Sequence, residues 1–256
     1  MTDKVLEKNK EDLIEEMFSV GAHYAYSRSK RHPSTRNFIF GIKNNLEIID
    51  LEKTTEMLGE AEVFVANLAK ESKKILFVGT KNEARGVVEL MASSIGAPFV
   101  VNRWIGGTLT NFEEIKKRIK RLQELTEKKE KGELGIYTKK ERLMIDREIN
   151  DLEKTFGGLL PLMDSLPKAL FVIDPKKEYI AVKEAQSLGI PVVALANSDC
   201  DISEIEYPIL ANDSSLLSIK FFITKIVDVY KKGSVKKQEE EKQVAKEIVY
   251  TKAPQK

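Results

Sequence analysis

The chain is poor in the residues that build metal and redox chemistry. Among 256 residues there is one cysteine, Cys200, two histidines, His23 and His32, and one tryptophan, Trp104. A lone thiol cannot close an internal disulfide and fits a reducing compartment, so a cytoplasmic location is expected. Two scattered histidines and one thiol fall short of a structural zinc set, and neither a metal nor a cofactor is expected. No apolar run approaches the length of a membrane span. The N-terminus is acidic and amphipathic without a hydrophobic core segment, so no signal peptide and no membrane contact are expected. A phosphate loop is missing too. Gly79-Thr80-Lys81 follows an apolar strand, but Ala84-Arg85-Gly86 stands where a second glycine followed by Lys-Ser/Thr is required. That stretch reads as a tight strand-to-helix turn.

Charge is present in quantity but nearly balanced, at a formal net +2. Its distribution says more. Residues 21–43 carry five cations, Arg28, Lys30, Arg31, Arg36 and Lys43, and no acid. Residues 1–20 hold six acids against three lysines, and residues 44–71 seven acids against two lysines. Such local asymmetry marks a directed electrostatic contact. Within the cationic segment stand Tyr24, Tyr26, His32, Phe38 and Phe40. Cations supply phosphate contacts and aromatic faces stack on exposed bases, a mixture suited to RNA. A solvated loop anchored by its aromatics is the competing reading.

Hydrophobic patterning alternates between strands and helices. Near-continuous apolar runs at 74–79, 98–101, 169–174 and 191–195 read as strands buried on both faces of a parallel sheet, with shorter strands at 48–51 and 208–210. Helices are expected at 5–18, after Leu51, after Asn82, at 179–188 and at 216–230. Asp174, Asp199 and Asp201 fall at strand ends, where metal or catalytic carboxylates are found, but no partner base or nucleophile stands at a defined spacing. Residues 112–156 carry apolar seams, Phe112, Ile115, Ile119, Leu122 and Leu125 on one arm and Ile145, Ile149, Leu152 and Phe156 on the other. Gly132 and Gly135 break the pattern between them, which predicts an antiparallel coiled-coil hairpin. The resulting organisation is an α/β domain over 1–111 and 157–230, the hairpin over 112–156, and a charged tail over 231–256 that reads as disordered or frayed.

The stretch Asn102 to Phe112 leaves a strand end, the usual place for binding groups in an α/β sheet. It offers Arg103, whose guanidinium can reach outward while Trp104 holds the loop down. It also offers Gly106-Gly107 for close backbone approach, and Thr108 and Asn111 as polar contacts, Asn111 doubling as a helix cap. A structural turn with a buried tryptophan is the alternative.

Several segments together resemble the bacterial form of the small-subunit ribosomal protein S-two family. They are Gly21-Ala22-His23, Phe38-Ile39-Phe40-Gly41, Ile48-Ile49-Asp50-Leu51, Leu76 to Lys81, Asn102 to Phe112, Thr138 to Glu141 and Gly189 to Val193. The chain departs from the family pattern at Ala25-Tyr26-Ser27, Ala196-Asn197-Ser198 and Ser214. The resemblance implies a Rossmann-like or flavodoxin-like parallel sheet flanked by helices, with a protruding coiled coil. It also implies a non-catalytic component that binds small-subunit rRNA between head and body, beside other small-subunit proteins including the large protein S-one, and not as a homo-oligomer. An enzyme or sensor that binds a phosphorylated small molecule at the strand ends is the alternative from another class.

Overall fold

A computed structural model describes residues 2–163 and 165–251, with side chains over 10–163 and 165–234. Helix α1, Thr2–Ser19, stops at Gly21, whose φ of +73° is a left-handed conformation that suits glycine. A hairpin of β1, Ile39–Lys43, and β2, Leu46–Ile49, follows. Its two-residue turn, Asn44-Asn45, has positive φ at both positions, the geometry that matches strand twist in tight hairpins. The sequence gives a strand near 48–51 but conceals β1 within the cationic segment; the Asn-Asn pair was its local signal. Phe40 has no register partner, a bulge that bends the strand. Asp50 then caps α2, Leu51–Lys70, by accepting from the Glu52 N–H at 3.1 Å.

The main sheet holds β3 (Ile75–Val78), β4 (Phe99–Val100), β5 (Ala169–Ile173), β6 (Val192–Ala196) and β7 (Tyr207–Leu210). All pairs are parallel, in the order β4-β3-β5-β6-β7. Numbered within the sheet this is second, first, third, fourth, fifth, the flavodoxin-like order. Every residue of β3, β5 and β6 is buried, because helices cover both faces. One face packs under α1, α2, α3 (Asn82–Ser93) and α7 (Leu216–Thr251) through residues such as Phe77, Phe171 and Phe222. The other packs under α4 (Phe112–Glu130) and α6 (Tyr179–Ser187) through Leu76, Val172 and Ala185.

The predicted hairpin is a helix pair, α4 and α5 (Lys139–Phe156), joined by a turn with Gly132 at φ +72°. Thr138 and Glu141 form a reciprocal capping box at the start of α5. Its base is not separate from the body. Phe112, Ile115 and Ile119 belong to the core under the sheet, and only Leu122, Leu125 and Ile149, with Ile145 and Leu152, form a cluster of the arms alone. At the exit, the Gly158 backbone lies so close to Phe99 that an added Cβ would stand 2.3 Å from its carbonyl oxygen.

Helix α7 does not stop near Tyr230 but continues to Thr251, into the segment whose composition suggests a tail. Packing supplies the reason at the boundary. Gly233 is buried against Ala66 and Ala69 of α2, where a Cβ would meet the Ala69 Cβ at 2.6 Å, so two backbones cross closely there. Residues 252–256 of the expected tail lie outside the described residues. No helix among the described residues is long and apolar enough to cross a membrane.

Candidate nucleic-acid interface

The cationic segment is pinned along the rim formed by the C-terminal ends of the sheet strands. The His32 N–H donates to the Ser198 carbonyl at 2.8 Å, and the Thr35 hydroxyl, fully buried, donates to the same oxygen at 2.9 Å. The Ile202 N–H donates to Ser34 Oγ at 3.2 Å, and the Tyr26 and Ser214 hydroxyls lie 3.0 Å apart. Two short 3-10 turns, Arg28–Lys30 and Pro33–Phe38, carry the chain between these anchors. The buried Thr35 fixes the second turn, and Arg28, Lys30, Arg36 and, in β1, Lys43 are exposed. Of the aromatics, Phe40 is 82% exposed and Tyr24 47%, so two faces remain for stacking. The Lys30 ammonium sits 5.2 Å from the Tyr26 ring centre.

Arg31 departs from its neighbours. Its guanidinium donates to Glu47 Oε1 at 2.8 Å, and the Glu47 side chain is wholly buried. A carboxylate enclosed by the β1–β2 hairpin requires a cation, and Arg31 supplies it. Both histidines serve the fold. His23 is buried and stacks at 4.3 Å on Phe18, its pKa lowered by burial and then by Lys43. His32 Nδ1 accepts from the Ser34 N–H.

The Asn102–Asn111 loop leaves the same rim after β4 and is organised by a residue the sequence reading missed. Glu184 of α6 is 8% exposed and points its carboxylate into the loop. Its Oε1 accepts from Trp104 Nε1 at 3.1 Å and the Gly107 N–H at 2.8 Å; its Oε2 accepts from the N–H groups of Leu109 at 2.9 Å and Thr110 at 3.3 Å. Burial alone would raise its pKa, but these donors outweigh burial and hold it below the usual carboxylate value. The loop is thus an anion nest filled from within. A signal existed: Glu184 shares a helix face with the small apolar residues Ala181 and Ala185, where an acid is out of place.

Two expectations for this loop change. Thr108 is buried, and its hydroxyl donates to the Ile105 carbonyl at 2.6 Å, so it is not free for an external contact. Asn111 occupies the cap position of α4 and is exposed, but its side chain makes no cap bond. Its φ of −120° and ψ of 48° depart from the extended backbone that usually accompanies capping. Arg103 is exposed, with no ion-pair partner among the described residues. Trp104 is buried at 7% exposure beneath it.

Between β3 and β5 the strand order reverses, the point where sheets of this kind usually hold a ligand. Here the chain fills it. The Lys81 ammonium lies 2.9 Å from Asp213 Oδ2 and 3.2 Å from Asp174 Oδ2. Burial opposes its charge, but the two carboxylates prevail and hold its pKa above normal. Asp174 has a positive φ of 60° and also accepts from the Lys177 N–H. The Thr80 hydroxyl and N–H both donate to Glu178. Asp199 pairs with Lys176 at 2.8 Å, and Asp201 lies 3.6 Å from His32. Asp174, Asp199 and Asp213 are therefore spent on lysines of the same chain. Burial pushes the Cys200 thiol up to about 12, which removes it as a nucleophile at neutral pH.

The cationic segment and Arg103 do not form one cluster. The first lies over β6 and β7, the second after β4, so they occupy one rim at a separation of roughly 15–20 Å at ~4.8 Å per strand. The family model described as "Ribosomal protein S2" matches residues 17–233. The small ribosomal subunit protein uS2 of a Nitratiruptor species is 40% identical over 227 residues, covering 89% of this chain and 85% of that protein. Those of Sulfurimonas denitrificans and a Roseiflexus species are 41% and 43% identical, over 86% and 83% of this chain and 85% and 81% of theirs. With its rim, sheet order and hairpin all lying inside the matched span, the chain belongs to the ribosomal protein S2 family.

Proposed function

We propose that this chain is a structural, non-catalytic constituent of the small ribosomal subunit that binds small-subunit rRNA through the rim of its parallel sheet. The observation that carries this is an acid-free segment, held rigidly by buried hydrogen bonds, that turns four cations and the Phe40 ring to solvent. Preordered charges lose little entropy on meeting phosphates. Arg28, Lys30, Arg36 and Lys43 make the phosphate contacts at one end of the rim and Arg103 at the other, with Asn111 beside it. Arg31 contributes through the hairpin it stabilises. The small-molecule alternative is not favoured, because Asp174 and Asp213 already hold the Lys81 ammonium in the crevice such a ligand would use, leaving it no cation for a phosphate.

Family membership supports the wider placement: in the cytoplasm, between head and body of the subunit, as one copy beside other subunit proteins and near the large protein S-one. The α4–α5 pair would act as a coiled-coil projection toward such neighbours. The test is reincorporation of purified protein into small subunits depleted of it, across a salt series. Replacing Arg28, Lys30 and Arg36 by alanine is expected to reduce the log–log salt slope by about 0.7–0.9 per lost phosphate contact. An unchanged slope removes the segment from the interface.

A further inference from the structure

Over residues 112–156 the charges nearly balance, with thirteen cations against eleven acids. The structure separates these charges. Residues 116–121 of α4 contribute Lys116, Lys117, Arg118, Lys120 and Arg121 without an acid. On one side of the hairpin, an open groove of about 530 Å³ runs between the arms, lined by Arg118 and Arg121 of α4 and by Met144, Arg147, Glu148 and Asp151 of α5. On the other side, a cleft of about 750 Å³ against α3 is lined by Glu89, Glu127 and Glu153, with Arg85 and Lys154. The hairpin thus divides an arginine side from an acid-rich side.

Within the groove the guanidinium groups have different tasks. Arg121 is held by a two-point contact to Glu148, Nε to Oε1 at 3.0 Å and Nη2 to Oε2 at 3.4 Å. That contact fixes one wall and joins the two arms. Arg118 and Arg147, one from each arm, are exposed and have no ion-pair partner among the described residues. Arg118 and Arg121 stand three residues apart on one helix face, as do Met144 and Arg147. Three guanidinium groups against Glu148 and Asp151 leave one positive charge, which complements one phosphodiester. Planar forks grip phosphate oxygens in pairs, as lysine cannot.

We propose that this groove is a second RNA-backbone site, in which Arg118 and Arg147 clasp a phosphate of the small-subunit rRNA. The proposal rests on the rRNA-binding role above and adds a contact outside the sheet rim. It is tested by reincorporation of the full chain into small subunits depleted of it, over a salt series. The proteins compared are the unaltered chain, Arg118→Gln/Arg147→Gln, Arg118→Lys/Arg147→Lys, and the rim variant that lacks Arg28, Lys30 and Arg36. The glutamine pair is expected to keep its thermal midpoint, since both side chains are exposed, and to lower the log–log slope by about 0.7–0.9, the loss of one phosphate contact. The lysine pair should restore the slope but bind more weakly at every salt concentration, because it keeps charge and loses the fork.

If the glutamine pair matches the unaltered chain while the rim variant loses slope, the groove is not an RNA site and the rim assignment stands. Weakened association with no change of slope would mean a protein neighbour in the groove, and overturns the proposal. If the unaltered chain fails to associate, the rRNA-binding role itself falls, and this site with it.

Discussion

Glu184 is the residue on which the Trp104 loop should depend most. Replacing it by alanine strands the two hydrogen-bond donors with the least access to water, Trp104 Nε1 and the Leu109 N–H, together with the Gly107 N–H. An unsatisfied buried donor costs about 1–3 kcal/mol, so two or three of them place Glu184→Ala at roughly 3–5 kcal/mol. Glutamine keeps one acceptor oxygen but turns an amide NH₂ toward the Leu109 and Thr110 N–H groups, and should cost about 2–3 kcal/mol. At about 2–4 °C per kcal/mol for a chain of this size, glutamine lowers the melting temperature by roughly 4–12 °C. Because Trp104 is the only tryptophan, its emission reports on this loop alone and should shift to longer wavelength as the ring gains water. The effect must also depend on pH. The Glu184 pKa is depressed in the folded state, so its stabilisation is present above the ordinary value of 4.5 and fades as pH falls through the folded value. The difference in melting temperature between the unaltered chain and Glu184→Gln should therefore shrink in acid. If Glu184→Ala melts within about 1 °C of the unaltered protein, with the same tryptophan spectrum, the carboxylate does not organise the loop.

Three further outcomes are expected. Ile149→Asp should loosen the helical arms while the sheet stays closed, whereas Ile119→Asp should open both, since Ile119 is fully buried in the core under the sheet; hydrogen exchange resolved by segment distinguishes local from global opening. Arg103→Lys should leave thermal unfolding unchanged and reduce incorporation into subunits, because an exposed guanidinium loses its fork and nothing else; equal incorporation removes Arg103 from the interface. Lys81→Met should cost about 3–5 kcal/mol by leaving Asp213 and Asp174 without their cation; an unchanged denaturation midpoint in urea would show that the crevice is not held by charge.

The sheet was legible because β3, β5 and β6 are buried on both faces and carry unbroken apolar runs. The hairpin arms were legible because their seams repeat at helical spacing. What sequence could not separate was which polar groups face inward. Thr108 and Asn111 look alike as loop polar residues, yet one donates to a carbonyl three residues back and the other remains in solvent. Arg31 sits among four other cations and differs only because the β1–β2 hairpin, unseen in the pattern, buries Glu47 beside it. Glu184 lies 80 residues from Trp104, and a contact of that separation leaves no periodicity in the chain. The reach of α7 past Tyr230 was hidden for a similar reason, since Gly233 reads as a helix breaker until Ala66 and Ala69 are set against it.

The two ends of the sheet have a consequence for the protein before it reaches a ribosome. A strand edge with free backbone groups recruits strands from other chains. Strand β4 spans only two residues, and its outward Phe99 carbonyl is covered by the Gly158 backbone. At the opposite edge β7 carries Pro208, which has no N–H to offer, and the Leu210 carbonyl accepts from the Thr54 hydroxyl of α2 at 2.7 Å. One border is covered by backbone and the other is closed by a proline and a threonine hydroxyl, not by a surplus of surface charge. The main sheet thus offers little at either edge for another strand to pair with, and this is achieved without adding charges that would bind polyanions indiscriminately.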